Sequence, residues 1–459
     1  MDNSPQNSNP NKFLHWLKNS ITARMFVIGF LTLILLIPLF MVQELIKERS
    51  QRQESVVSEI NDKWGDEVVL YGPVLKIPYR TYSEKHITNS KKELTTESIE
   101  ALKYLYFFPH QLKIHSVVDP EIKKRGIYQT AVYKSKTDLS GNFSISDYQN
   151  EDISEKDILW DKARIIFKTS NLKGVNNEIY IQLGNSSYTF KSKYEEHNQL
   201  RPNEQELFLM ESGILKESDF LKEKSVEFKM EVSVNGSSEI SFVPIGKTTE
   251  AEIISDWKTS SFKGNFLPYN EDKITDSGFK AKWKILDINR PFPQVFNNNL
   301  PRLTEYAFGV NFMIPVDEYQ KSERATKYGF LVIGLTFLLF FLIQTLSKIP
   351  IHPFQYLMIG LGLVMFYTLL ISISEHSSFL KAYLIAGISV LLMISLYSKS
   401  ILKGWKFPIF IGLSLFALYS FIFIIIQLES YALLVGSIGL FLILAGVMYV
   451  SRKIDWDHQ

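Results

Sequence analysis

The stretch GFLVIGLTFLLFFLIQTL, residues 329–346, decides the class of fold. It carries no charge, and a hydrocarbon core of roughly 30 Å needs about 20 apolar residues in helix. Five further stretches match it: 25–42, 354–373, roughly 379–397, 407–427 and 431–450. Lys381 stands near the start of the fourth span, where a long side chain snorkels to the interface. The first stretch reads as an uncleaved anchor, because Phe40-Met41-Val42-Gln43 follows where a signal peptide needs a small-residue cleavage site. The sequence therefore predicts an α-helical membrane protein with six transmembrane helices.

Whole-chain composition hides this. Of 459 residues, 46% are hydrophobic and 21% charged, with a net charge of +2, as in an ordinary soluble protein. Residues 43–328 hold 40 basic and 43 acidic residues, a net charge of −3, whereas the flanks carry +5. Such a balance argues against a nucleic-acid binder, which shows a concentrated basic excess. The absence of cysteine excludes thiol catalysis, iron–sulfur clusters, Cys-based zinc sites and a disulfide.

Six spans place both termini on one side of the membrane. The short connections on that side collect Lys12, Lys18, Arg24, Lys348, Lys399, Lys403, Lys406, Arg452 and Lys453; those on the other offer only Lys381, with the acids Glu375 and Glu429. By the positive-inside rule both termini are expected in the cytoplasm. The expected organisation is a cytoplasmic tail over 1–24, a span over 25–42, a periplasmic domain over 43–328, a five-helix bundle over 329–450 and a cytoplasmic tail over 451–459.

The first helix is expected to continue past the membrane to Trp64, because Gln43–Trp64 lacks Gly and Pro and places Val57, Ile60 and Trp64 in one stripe before Gly65 stops it. A helix over 25–64 would be about 60 Å long. A return helix is expected to start at Asp317, with Gln320 completing a capping box. Between these stalks the chain reads as a β-rich, β-sandwich-like domain. Strands are expected at Val74–Tyr79, Ala101–Phe108, Ile127–Leu139, Arg164–Thr169, Glu178–Leu183, Val226–Val234 and Glu239–Pro244. Ser140-Gly141-Asn142, Asn235-Gly236-Ser237 and Asp276-Ser277-Gly278 read as turns, Asn235-Gly236 as a hairpin. Phe107-Phe108-Pro109 followed by Gly141-Asn142-Phe143 parallels Phe242-Val243-Pro244 followed by Gly264-Asn265-Phe266. This is either a duplicated sandwich unit or two unrelated turns sharing Gly-Asn.

Chemistry is sparse. There is no phosphate-cradling Gly loop, no G-x-S-x-G elbow and no H-E-x-x-H. His110 and His115 would fall on opposite faces of one strand, a poor geometry for sharing a metal. Glu195-Glu196 and Glu151-Asp152 read as solvated loop charges. Within the spans the strongest polar residues are Gln344, Ser389, Ser414 and Ser437, none ionisable, which weakens a proton-pump reading. Gly360, Gly362, Gly412, Gly436 and Gly439 read as close-packing positions. The polar residues that stand out are Glu375, His376 and Glu429 at the outer ends of spans, a candidate interaction site whose bland alternative is a solvated turn. No catalytic, cofactor-binding or metal-ligating residue is assigned, and no cofactor.

Several ordered stretches resemble the CreD family of bacterial inner-membrane proteins, also called cell envelope integrity proteins. They are Gly72-Pro73-Val74-Leu75-Lys76-Ile77-Pro78-Tyr79, residues 119–128 beginning Asp119-Pro120, residues 262–268 beginning Phe262-Lys263-Gly264, and Pro315-Val316-Asp317-Glu318-Tyr319-Gln320. Ile351-His352-Pro353-Phe354-Gln355-Tyr356, Ser374-Glu375-His376 and Asp455-Trp456 complete them. The resemblance covers nearly all the chain after about residue 20. It implies a Gram-negative inner-membrane protein linked to envelope integrity and to tolerance of β-lactams and colicins, with no agreed biochemical activity.

The expected function is that of a non-enzymatic protein of the lipid bilayer that binds an envelope component, protein or lipid, through its periplasmic domain. A transporter or lipid-handling protein is the alternative. A membrane-embedded enzyme built on Glu375, His376 and Glu429 comes third.

Overall fold

The computed structural model describes residues 21–88, 94–144, 153–194, 206–219, 225–312, 318–402, 404–428 and 431–452. They form two compact units, one over 55–315 and the other from the chain on either side of it.

The helical unit contains α1 (Ile21–Trp64), which continues into the second unit, and α2 (Glu318–Lys327), α3 (Gly329–Ser347), α4 (Pro353–Ser374), α5 (Phe379–Leu402), α6 (Lys406–Gln427) and α7 (Ala432–Ser451). Among the described residues six helices are long and apolar enough to cross a membrane, with α2 and α3 counted as one. Local chemistry sets their ends. Lys348, at φ 56°, closes α3 in the left-handed conformation. Pro353 opens α4, where its missing N–H costs nothing, and the His352 ring accepts the Phe354 N–H at 3.2 Å. The glycines act at close crossings. A Cβ on Gly360 would lie 2.0 Å from Leu35, and one on Gly439 would lie 2.1 Å from Phe421. Of the polar span residues, Gln344 accepts the Tyr356 hydroxyl at 2.8 Å, Ser437 bonds the Leu434 carbonyl, and Ser389 is exposed.

The second unit is β-rich. Its strands are β1 (Val68–Thr88), β2 (Leu94–Phe107), β3 (Gln111–Arg125), β4 (Tyr128–Ser144), β5 (Arg164–Thr169), β6 (Tyr180–Leu183), β7 (Ser186–Lys193) and β8 (Phe208–Ser212). They continue with β9 (Ser225–Ser237), β10 (Glu239–Phe242), β11 (Thr248–Ser255), β12 (Ser260–Gly264), β13 (Ile274–Thr275), β14 (Gly278–Leu286), β15 (Val295–Asn297) and β16 (Phe308–Phe312). One sheet runs β12-β16-β10-β1-β5-β8-β7, with β2 also on β1 and β15 on β2; the other runs β7-β6-β9-β4-β3-β11-β14-β13. β7 serves both, pairing β6 through Thr189 and β8 from Phe190. The core lies between the sheets, where Trp283 packs on Phe308 at 5.3 Å and Tyr133 on Phe312 at 5.1 Å, both pairs tilted. This is a sandwich, as its alternating strands predict.

The crossing between sheets is organised at Gly72-Pro73. β2 and β10 lie along the same edge of β1, with Phe107 opposite Leu75 and Phe242 opposite Leu70. They run toward each other, end on either side of Gly72-Pro73 and pass to the second sheet, where β3 and β11 pair in parallel. The two Phe-x-Pro segments are thus equivalent crossing points. The two Gly-Asn segments are not: Gly141 sits inside β4, while Gly264 ends β12 in the other sheet. The sequence parallel therefore holds for its first half alone.

Two expected turns are corrected. Ser140-Gly141-Asn142 continues β4, and Gly141 is there because a Cβ would meet the Gln111 carbonyl at 1.9 Å. Asn235-Gly236 lies within β9, and the chain turns at Ser238 (φ 59°) before β10 joins the other sheet. Close approach to Tyr133, not hairpin geometry, explains Gly236. Asp276-Ser277 does connect a hairpin, with Thr275 opposite Gly278. The far end of α1 is fastened to this unit. Trp64 donates its indole N–H to the Tyr133 carbonyl at 3.4 Å, Asn61 accepts from Thr130 at 3.1 Å, and Glu59 pairs with Arg125 at 2.5 Å. Thus the stretch 119–128 forms a hairpin arm that clasps the end of the helix.

Candidate interaction site at the span ends

Glu375 closes α4 at the same end of the helical unit as the stalk portion of α1 and the start of α2. Its carboxylate is half-buried. Arg49 of α1 lies 3.6 Å from its Oε1, and the Tyr319 hydroxyl of α2 donates to the same oxygen at 3.4 Å. One residue before Tyr319, Glu318 accepts the Phe379 N–H at 2.8 Å, capping α5 with a carboxylate. A helix start presents unpaired N–H groups and positive dipole charge, so a carboxylate is stabilised there. Gln43 donates to the Thr326 carbonyl at 3.3 Å, a further tie between α1 and α2. Four chain segments therefore converge on charged contacts: α1, α2, the end of α4 and the start of α5.

The three residues singled out by sequence part company. Glu375 is engaged as described. His376 is exposed, and its backbone N–H bonds the Ile373 carbonyl. Glu429 lies outside the described residues, as do Glu151-Asp152, Glu195-Glu196 and Asp317. His110 precedes β3 instead of lying on it, which corrects the opposite-faces reading, and His115 pairs with Glu252 at 3.1 Å.

Sequence reasoning missed Arg49, Glu318 and Tyr319 as partners. The available signal was opposite charge at span ends, since Arg49 lies two turns beyond the first apolar stretch. It also missed a second cluster, on the β-rich unit, where Glu211 faces Lys76 at 2.9 Å, Lys193 at 3.6 Å and Arg164 at 3.8 Å. Burial alone would raise the Glu211 carboxyl, but the bond and charge of Lys76, then Lys193 and Arg164, outweigh it and hold the group below its usual range. These residues sit on four different strands, so spacing along the chain carries no trace of them.

A family model described as inner membrane protein CreD matches residues 20–457. The chain belongs to the CreD family. Inner membrane protein CreD of Escherichia coli (strain K12) is 30% identical over 442 residues, covering 96% of this chain and 94% of its own length. With its six apolar helices, this CreD-family chain is a multi-pass inner membrane protein. Glu318 and Tyr319 fall in the family-like stretch 315–320 and Glu375 in 374–376, so the cluster joins two of the segments on which the CreD resemblance rests.

Proposed function

We propose that the protein is a non-enzymatic envelope protein, with both termini in the cytoplasm and residues 43–328 in the periplasm. Through the β-rich segment it binds an envelope component, protein or lipid, and so supports envelope integrity. The observation that carries this reading is the Arg49–Glu375–Tyr319 cluster. The carboxylate best placed to serve a membrane-face active site is instead engaged by the two helices that lead the chain out of and back into the bundle. That is the arrangement of a fastener, and a fastener serves a protein that presents a domain.

Complementation of a deletion strain under envelope stress tests it. Glu375→Ala loses an ion pair and a hydrogen bond in a partly desolvated place, a cost of roughly 1–3 kcal/mol, and should impair rescue at normal protein levels. His376→Ala, at an exposed position, should rescue like the wild type, since surface changes stay within about 0.5 kcal/mol. Full rescue by Glu375→Ala would remove the fastening role. Turnover of a lipid or glycan by the purified protein would replace the reading with an enzymatic one.

A further inference from the structure

A crevice of about 480 Å³ opens among α3, α6 and α7. Leu338, Leu339, Leu418, Leu442, Ile443 and Val447 are among the side chains that line it. Thr336 and Ser414 also line it, and the Thr336 hydroxyl is turned to the Val332 carbonyl at 2.6 Å. The crevice is bounded along its length. At one end α7 crosses α6 tightly, with Gly439 against Phe421. At the other, Val450 packs on the cluster of Ile21, Phe341 and Leu342. Between these contacts α7 stands off, and none of its residues is buried.

In water such a gap would close. In a bilayer the surrounding medium is acyl chain, and an apolar gap left empty forfeits the dispersion contacts of its lining. The volume is about three times the roughly 150 Å³ of an apolar cavity that holds one benzene, hence room for about one acyl chain. Charge selects the kind of lipid. Five residues beyond Val447 comes Arg452, and six beyond Leu342 comes Lys348, each just past the end of its helix and so about 7–9 Å beyond the lining at 1.5 Å per residue. Both are exposed. The described part of this end of the unit also carries Arg24, Lys399 and Lys406, and no acid. Basic side chains at a membrane surface attract anionic headgroups.

We propose that the crevice holds one acyl chain of an anionic phospholipid from the leaflet on the side of the chain termini, with its headgroup against Lys348 and Arg452. This site is independent of the envelope-binding reading, which concerns the β-rich segment.

The test uses the full chain in nanodiscs of phosphatidylethanolamine and phosphatidylglycerol. A trace of either lipid carries a photoreactive diazirine on one chain, and labelled peptides are mapped by mass spectrometry. The phosphatidylglycerol probe should label 338–342 and 442–447 several-fold more than the face of α1 on which Phe26, Phe30 and Phe40 are exposed. Ile443→Trp, at a half-buried position, should abolish that excess and leave the α1 labelling unchanged. Lys348→Gln with Arg452→Gln should remove the preference for phosphatidylglycerol over phosphatidylethanolamine. Labelling of the crevice no stronger than that of α1, in the wild-type protein, overturns the site. So does an excess that survives Ile443→Trp. Equal labelling by the two probes overturns the anionic assignment.

Discussion

Arg290→Ala is expected to lower the melting temperature of the β-rich unit by roughly 10 °C. Arg290 is 4% exposed, and its guanidinium donates to backbone carbonyls. Nη1 reaches the Phe292 carbonyl at 2.9 Å, and Nη2 reaches those of Gly246 at 3.0 Å and Ile245 at 3.4 Å, with the Phe292 ring 4.2 Å away. Burial pushes its pKa down to about 10, so the group stays charged at neutral pH. Residues 245 and 246 form the bend by which the chain passes from β10 to β11. Phe292 packs on Phe108 at 6.1 Å, beside the other crossing point. Arg290 thus holds both passages between the sheets. A charge-assisted hydrogen bond is worth about 1.5–3 kcal/mol; two good ones with their packing come to roughly 4 kcal/mol. In a unit of this size each kcal/mol shifts the midpoint by about 2–4 °C. Arg290→Lys should recover part of the loss, since one ammonium cannot span three carbonyls. Thermal unfolding of the full chain in detergent, followed by near-ultraviolet circular dichroism, reads the result. An unchanged midpoint for Arg290→Ala would show that the crossing holds without it.

Gly236→Ala is expected to destabilise the same unit by about 3 kcal/mol, the upper range for forcing a methyl into a packed core. A Cβ there would lie 2.2 Å from the Tyr133 hydroxyl, 2.4 Å from its ring and 2.8 Å from Val68. Tyr133 has no room to retreat, because it is fully buried, bonds the Glu239 carbonyl at 2.6 Å and packs against Phe312. Urea unfolding of the full chain in detergent measures the change. The substitution also separates two readings of Asn235-Gly236. A hairpin glycine in the left-handed region would be sensitive through its backbone, so that Asn would be tolerated there. The observed glycine lies in an extended strand, and Gly236→Asn should be worse than Gly236→Ala because it is larger. Tolerance of asparagine at 236 would restore the hairpin.

These cases show what is legible in such a chain. The spans are, because each is a local property: about 20 apolar residues have few alternatives in a bilayer. The strand Arg164–Thr169 is equally local and occurs as read. Which strand pairs with which is not local. Phe107 and Phe242 end their strands on the same edge of β1 although 135 positions separate them, and only the folded register reveals it. Glycine is ambiguous in sequence, since one residue type serves both turns and close contacts. Of the candidate site, Glu375 was visible as an acid between hydrophobic helices. Its partners were not, because Arg49 and Tyr319 are brought to it by packing.

The proposed function requires residues 43–328 to lie on the far side of the membrane from both termini. The chain lacks cysteine, so single cysteines can be placed without background. Ser218→Cys puts one on an exposed position of the β-rich unit, and Ser400→Cys puts one on an exposed position at the end of α5 nearest the basic connections. Cells with permeabilised outer membranes are treated with a membrane-impermeant maleimide before and after lysis. Labelling of Ser218→Cys before lysis, with Ser400→Cys labelled after lysis alone, is the expected result. Labelling of Ser400→Cys in unlysed cells, with Ser218→Cys protected, would contradict it.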